Sequence, residues 1–307
     1  MKDLNLFLEN KINFFEKVYH SSEKSDGYLK DFFAEYINTE KKEFEHNAIV
    51  FGEEKTINVH ILSVLHSITY REKIPFAILE FTKTSNQLNF NKLINSYYYD
   101  SLLHILALKE KTFVSGLLVS DIALSFIFCS IFFPDDLDLI SKQLVNVLND
   151  YLKREKENPK LQRGEFGRSS TIYLAAYLAS YFKLKEISDI LLDFCKKNIQ
   201  SDYFKAINDI NFLKDNFEYT CIEGMLNFHI NNSKSDLTLP FNHELWQYFP
   251  IEVLSLLILR ERNGLKNEKI ESSNFIRLFI PYIYEKNIVL DAETQKVKSR
   301  ILCSGNG

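Results

Sequence analysis

Apolar residues recur three or four positions apart through most of the chain, as on the buried face of an amphipathic helix. Residues 4–19 show this spacing first, and residues 28–37 repeat it after the turn signal Ser25-Asp26-Gly27. Toward the C-terminus the spacing returns in pairs of segments, such as Ile172–Phe182 followed by Ile187–Cys195. The pattern predicts an all-α fold of stacked antiparallel helical hairpins. A solenoid-like stack stays open, because no residue-level repeat is strong enough to define one.

The same spacing predicts a third helix from about Glu54, with Ile57 and Ile61 on one face. This helix must stop before Pro75, which fits the first turn of the next helix because its missing N–H is not needed there. The charged run Glu43–His46 is interpreted as a solvated helix face.

The segment Phe113–Phe133 is apolar over 21 residues, with Asp121 as its one charge. That length is enough to span a bilayer. An ionised Asp near the bilayer centre costs roughly 2.5–3.5 kcal/mol on insertion scales, which disfavours a span. We therefore predict a buried apolar central helix, with Asp121 neutralised or hydrogen-bonded. A membrane-associated protein stays as a lesser hypothesis.

Residues 155–169 form the least helical stretch, because one Pro and two Gly fall within nine positions. This predicts a linker or exposed loop between an N-terminal helical bundle, residues 1–154, and a C-terminal region of helical hairpins, residues 170–307. Packing of both regions as one continuous domain stays open.

Three charged residues of that stretch, Arg163, Glu165 and Arg168, surround its glycines just before a predicted helix. Arginines near a helix N-terminus are able to bind phosphate. No apolar strand precedes them, so a linker with ordinary charges is favoured over a nucleotide site. If the stretch is functional, we expect it to contact a partner.

Composition limits the possible functions of this 307-residue chain. Its nine Gly and six Pro disfavour an all-β fold and Gly-dependent phosphate loops. A formal charge of −4 argues against a nucleic-acid binder. Four cysteines without a C-x-x-C pair are typical of reduced thiols. Since the N-terminus also lacks a secretory signal pattern, we expect a cytoplasmic protein.

Motifs for catalysis and cofactor binding are absent from the sequence. It has no Walker loop, G-x-G-x-x-G, H-E-x-x-H or G-x-S-x-G, and its seven His include no i,i+4 pair. Asp100 and His104 lie four apart, where a carboxylate can orient an imidazole, but no nucleophile accompanies them. We therefore expect a structural or surface pair, no catalytic residues, no cofactor and no metal: the chain is not predicted to be an enzyme.

Trp246 and Tyr248 belong to an aromatic stretch that precedes Pro250. Such residues are candidate anchors for a partner, because aromatic side chains often dominate binding energy at interfaces. In a chain with 26 Phe and 16 Tyr, a core position is favoured for this cluster.

The C-terminal third carries an ordered set of short motifs. They are Ile222-Glu223-Gly224-Met225, then Tyr248-Phe249-Pro250 opening an apolar helix that ends at Asn263-Gly264, then Ile270-Glu271-Ser272 and Phe279-Ile280-Pro281. In this order they resemble the immunity protein 49 family of bacterial polymorphic-toxin systems, whose members are all-helical. The resemblance covers residues 217–281, under a quarter of the chain.

The resemblance implies a cognate immunity protein, which binds a toxin delivered by a neighbouring cell and blocks it stoichiometrically. The partner it implies is a nuclease or another toxin that acts in the cytoplasm, with no nucleic acid bound and no stable membrane insertion. If the toxin is basic, an acidic surface would steer association. The candidate acidic residues are Glu53, Glu54, Asp135, Asp136 and Asp138.

The alternative is a helical-repeat scaffold or regulator that binds a peptide or protein partner. It predicts a continuous concave groove, whereas an immunity protein requires only a surface that fits its toxin.

Overall fold

The computed structural model describes residues 4–25, 27–112, 119–158, 169–195, 219–235, 243–267, 274–284 and 288–303, together with residues 207, 213 and 241. Within these residues the fold is predominantly α-helical and has one two-stranded sheet, which confirms the predicted all-α class. The chain divides into two compact units. Unit I comprises residues 1–11 and 117–288, and unit II comprises residues 12–116 and 289–307.

The described elements follow one another from the N-terminus. They are α1 (Leu4–Ser25), α2 (Gly27–Thr39), β1 (Glu43–Val50), β2 (Glu53–His60), α3 (Ile61–Ile68), α4 (Ile74–Lys83), α5 (Gln87–Lys109), α6 (Val119–Phe132), α7 (Leu137–Glu157), α8 (Ser169–Tyr181), α9 (Lys185–Cys195), α10 (Tyr219–Asn232), α11 (Leu245–Tyr248), α12 (Ile251–Arg262), α13 (Asn274–Arg277), α14 (Ile280–Ile283) and α15 (Ala292–Cys303).

The two units differ from the predicted domains, whose boundary was placed at residues 155–169. Unit II takes its last helix, α15, from the end of the chain, where it packs against α2 and α5. Gly and Pro content indicates turns, and it holds no information about which distant helices pack together. The core of the predicted linker, residues 159–168, lies outside the described residues.

Helix α5 forms the core of unit II. Almost every side chain from Leu93 to Ala107 is buried, because α5 packs against α3, α4 and α15. Pro75 lies in the first turn of α4, as predicted. The helix before it ends at Ile68, and a π-helical turn, Thr69–Lys73, continues the chain into α4.

The predicted third helix is wrong over its first turns, because residues 53–60 form strand β2. Ile57 and Ile61 have helical spacing, but Ile57 and Val59 alternate with polar residues, which is the spacing of a strand. The run Glu43–His46, interpreted as a helix face, lies on strand β1. The two strands pair antiparallel from Glu43–His60 to Val50–Glu53.

Two aromatic stacks hold the base of this β-hairpin on α2. The rings of Phe44 and Phe32 have centroids 4.6 Å apart, and those of His46 and Tyr28 have centroids 3.7 Å apart. Residues four apart on a helix are separated by about 6 Å and residues two apart on a strand by about 6.8 Å. The two spacings match closely enough for both pairs to stack side by side.

Helix α6 forms the core of unit I. Its residues from Val119 to Ile131 are all buried, and the helix packs against α7, α8 and α12. The buried central helix is therefore confirmed for its described part, while residues 113–118 lie outside the described residues. Asp121 is 1% exposed. Among the helices that the structure describes, none combines the length and apolar character needed to cross a membrane.

The end of α12 follows the predicted helix stop. Gly264 has a φ of +76°, and its N–H donates to the carbonyl of Glu261 at 2.9 Å. The next N–H, that of Leu265, donates to the carbonyl of Arg260 at 3.0 Å. These two bonds define a Schellman motif, which requires a left-handed residue at the position of Gly264.

Candidate functional site

A fully buried acid–base pair joins α10 to α12 in unit I. His229 Nδ1 lies 2.6 Å from Glu252 Oε1, and both side chains are 0% exposed. His229 Nε2 lies 3.0 Å from the carbonyl oxygen of Gln247. Because a carbonyl oxygen only accepts hydrogen bonds, Nε2 carries a hydrogen. A second proton lies between Nδ1 and Oε1, since two lone pairs would repel each other at that distance.

The Gln247 side chain extends this network to α1. Its Nε2 donates to the carbonyl of Phe241 at 2.6 Å, and its Oε1 accepts from the Lys11 ammonium. Lys11 Nζ also donates to the carbonyl of Ser233 at 3.2 Å. Burial lowers the pKa of Lys11, while the Glu244 carboxylate acts in the opposite direction. The network therefore fastens the first turns of α1 to α10 and α11.

The predicted pair Asp100 and His104 is also brought together, in the core of unit II. Asp100 Oδ2 lies 3.8 Å from His104 Nε2, and the side chains are 0% and 1% exposed. The Tyr70 hydroxyl donates a hydrogen bond to Asp100 Oδ1. A substrate cannot reach either side chain in this packing. The burial agrees with a structural role for the pair.

A surface groove of about 680 Å³ lies between the end of α2 and α15 in unit II. The lining residues include Lys296, Arg300 and the exposed thiol of Cys303. The Arg300 guanidinium is held by the Glu40 carboxylate and by the carbonyl of Ile37. No Asp, Glu or His is among the described lining residues, so the groove offers cations and a thiol without a general base.

The candidate acidic residues have unequal exposure. Asp135 is exposed, and Asp138 is exposed and paired with Lys142 at 2.5 Å. Asp136 is only 4% exposed; it occupies the N-cap position of α7 without a capping hydrogen bond from its side chain. Of these three aspartates, only Asp135 and Asp138 are therefore exposed enough to steer a basic partner electrostatically. Glu53 and Glu54 are exposed at the start of β2.

Trp246 and Tyr248 are buried in unit I, where they are 1% and 2% exposed. Trp246 packs edge-on against Phe128 of α6, with centroids 6.1 Å apart, and Tyr248 packs against Phe279 at 6.0 Å. The core position favoured for this cluster is confirmed, and the expectation of an exposed anchor is corrected. Apolar surface that is already buried against other helices has nothing to gain from a partner.

The remaining candidate residues, Arg163, Glu165 and Arg168, lie outside the described residues. Among the residues that the structure describes, no group of three or more His, Cys, Asp and Glu side chains is placed to hold a metal ion.

Sequence reasoning missed two features. His229 and Glu252 are 23 positions apart, and nothing in either local pattern indicates that they meet. The β-hairpin had a local signal, because Phe51-Gly52 lies between two stretches in which apolar and polar residues alternate.

In comparisons with known proteins, no family model, no curated protein and no solved structure matches the chain.

Proposed function

We propose that this protein is a cytoplasmic immunity protein that binds a polymorphic toxin and blocks it. The observation that carries the proposal is the ordered set of motifs in residues 217–281, which resembles the immunity protein 49 family. The proposed partner is a toxin that acts inside the cell, with a nuclease as the first candidate.

The burial of several residues in these motifs supports the proposal. Met225 and Phe249 are 0% exposed, and the apolar helix after Pro250 is buried over its first ten residues. Motifs that specify packing are expected to recur among relatives even when their binding surfaces differ. A resemblance that includes such core positions suits proteins that share a scaffold and bind different toxins.

The burial of both acid–base pairs is compatible with a protein that acts by binding. Both buried pairs, His229–Glu252 and Asp100–His104, are enclosed by their own units and are at most 1% exposed. Blocking a toxin requires shape and charge complementarity at a surface, and it requires no proton transfer.

A scaffold that binds a peptide is the second candidate function. The groove of about 680 Å³ beside α15 favours it, because a groove of this size accepts a few side chains of an extended segment. This candidate predicts that substitutions lining the groove, such as Lys296→Glu, abolish partner binding and leave protection against a toxin unchanged.

Co-expression with the toxin encoded by the adjacent gene tests the proposed function. Cells that carry the toxin are grown with the chain, with a truncated chain as control, and with a catalytically inactive toxin as a second control. We expect survival to rise by at least about tenfold only with the full chain, and the two proteins to co-purify. Killing that is unaffected by abundant, folded chain would overturn the proposal.

A further inference from the structure

The tip of the β-hairpin presents two large apolar side chains to solvent. Phe51 is 100% exposed and Ile49 is 80% exposed, more than the other exposed large apolar residues that the structure describes. Apolar side chains this exposed and this close together are typical of interaction surfaces. Neither is needed to hold the hairpin on its unit, because the stacks at Phe44 and His46 do that.

The turn itself is unusual in its first residue. Phe51 and Gly52 both have positive φ, +53° and +83°, which defines a type I′ turn of two residues. Glycine adopts this conformation freely, whereas a side chain with a Cβ is strained there, and Asn or Asp is the usual choice for the first position. A phenylalanine in this place disfavours the turn and exposes its ring. Such a residue is better explained by binding than by folding.

The hairpin that carries the apolar tip is acidic. Residues 43–60 contain four Glu and one Lys, and that Lys55 is paired with Glu53 at 3.0 Å. Ile49 lies directly opposite Glu54 in the antiparallel register, and Glu45 is on the same face of the hairpin. Within the part of the chain that the structure describes, neither Glu45 nor Glu54 has an ion-pair partner. An apolar centre with an acidic rim complements a basic surface that has an apolar pocket.

We infer that the β-hairpin is the element that binds the toxin, with Phe51 and Ile49 inserted into an apolar pocket of a basic toxin. Glu54 faces a Lys or Arg side chain at the rim of that pocket, and Glu45 faces another farther along the same side of the hairpin. The hairpin base stays fixed on α2, so the tip is presented with little conformational entropy to lose. This inference rests on the proposed function, because it names the toxin as the occupant.

Calorimetric titration of the purified chain with the catalytically inactive form of the adjacent-gene toxin tests the inference. The test variant is Phe51→Asn, which removes the ring and gives the turn a residue that it favours. The matched control is Leu88→Gln, which removes another exposed apolar side chain, 66% exposed, from a helix of the same unit.

We expect Phe51→Asn to raise the dissociation constant by on the order of 30-fold, as for an interface hot spot. Its melting temperature should equal or exceed that of the unmodified chain, which separates lost binding from lost folding. Leu88→Gln should change the dissociation constant by less than about threefold. Glu54→Lys should slow association, and the difference from the unmodified chain should shrink at high salt.

Equal binding by Phe51→Asn and the unmodified chain would overturn the hairpin inference and leave the proposed function standing. Failure of the unmodified chain to bind the toxin would overturn both. Co-sedimentation with phosphatidylcholine–phosphatidylserine vesicles that depends on Phe51 would assign the tip to a membrane instead. Self-association that depends on Phe51 would assign it to a second copy of the chain. Either of these two results would overturn the inference.

Discussion

His229 Nδ1 and Glu252 Oε1 lie 2.6 Å apart with both side chains fully buried, and these two residues, 23 positions apart in the chain, join α10 to α12. The pair lies within residues 217–281, the segment on which the proposed function rests. The hydrogen bond fixes how α10 sits on α12 in unit I.

Replacing Glu252 by Ala should strongly destabilise unit I. The change leaves His229 Nδ1 buried without its carboxyl partner, and breaking one side of a buried pair costs about 3–5 kcal/mol. Urea unfolding followed by circular dichroism measures the loss. Glu223→Ala is the matched control, because Glu223 is an exposed glutamate on α10, the helix that carries His229, and its effect should stay within about 0.5 kcal/mol. A loss below 1 kcal/mol for Glu252→Ala would show that the pair is not a determinant of stability.

Gly264→Ala should destabilise the chain by about 1–2 kcal/mol, because a Cβ disfavours the left-handed conformation of this residue. No atom lies within 4 Å of the position that the Cβ would take, so the effect comes from the backbone alone. Thermal unfolding monitors it. Gly27→Ala is the control: its Cβ also meets open space, but its φ is not left-handed, so we expect no loss and a gain of up to about 1 kcal/mol. Equal effects of the two substitutions would contradict this account.

Tyr70→Phe should destabilise unit II by about 1–3 kcal/mol, the usual cost of leaving a buried acceptor without its donor. The change removes the hydroxyl that donates to the buried Asp100 carboxyl and keeps the ring. Urea unfolding checks the prediction. Tyr28→Phe serves as control, because it retains the stack on His46 and should have little effect. An unchanged midpoint for Tyr70→Phe would mean that the hydroxyl does not stabilise the carboxyl.

The cysteines should fall into two reactivity classes. Cys303 is exposed, while Cys129, Cys195 and Cys221 are buried, and burial raises the pKa of the Cys195 thiol to about 12. Since only the thiolate reacts, titration of the folded chain with Ellman's reagent near pH 8 should detect one fast thiol and three that react at least tenfold more slowly. Cys303→Ser should abolish the fast phase. A fast phase that persists in that variant would contradict the described burial.

The raised pKa of Cys195 also predicts a pH dependence of stability. An unfolded thiol ionises near pH ~8.5, whereas the folded one stays protonated to about pH 12. The contribution of this thiol to the free energy of unfolding is therefore fully present below pH ~8.5 and is lost progressively as the pH rises toward 12. Urea unfolding between these pH values should show that the free energy of unfolding declines less for Cys195→Ala than for the unmodified chain. Identical declines would show that this thiol does not contribute.

Helices with a single strong period were predictable from the sequence, and Ile187–Cys195 is one of them. The structure has helix α9 over Lys185–Cys195, within two residues of that prediction. The stop at Asn263-Gly264 was equally local, since glycine at that point is favoured by its backbone alone. Burial of α6 followed from its apolar composition and from the cost of placing Asp121 in a bilayer.

The hairpin shows where periodicity is ambiguous. Ile57 and Ile61 fit a helix, while Ile57 and Val59 fit a strand, and the turn at Gly52 decides between them. The division into units and the His229–Glu252 pair depend on long-range packing, about which local spacing holds no information. The exposure of Phe51 follows from the hairpin, so it could not be predicted once that segment was taken as a helix.

The most direct test of the central claim is a calorimetric titration of the purified chain with the proposed partner, a catalytically inactive form of the toxin that we expect the adjacent gene to encode. The account predicts a complex of one chain with one toxin molecule and a dissociation constant below about 100 nM, as for specific complexes of this kind. No heat of binding and separate elution of two folded proteins at about 10 μM would contradict it.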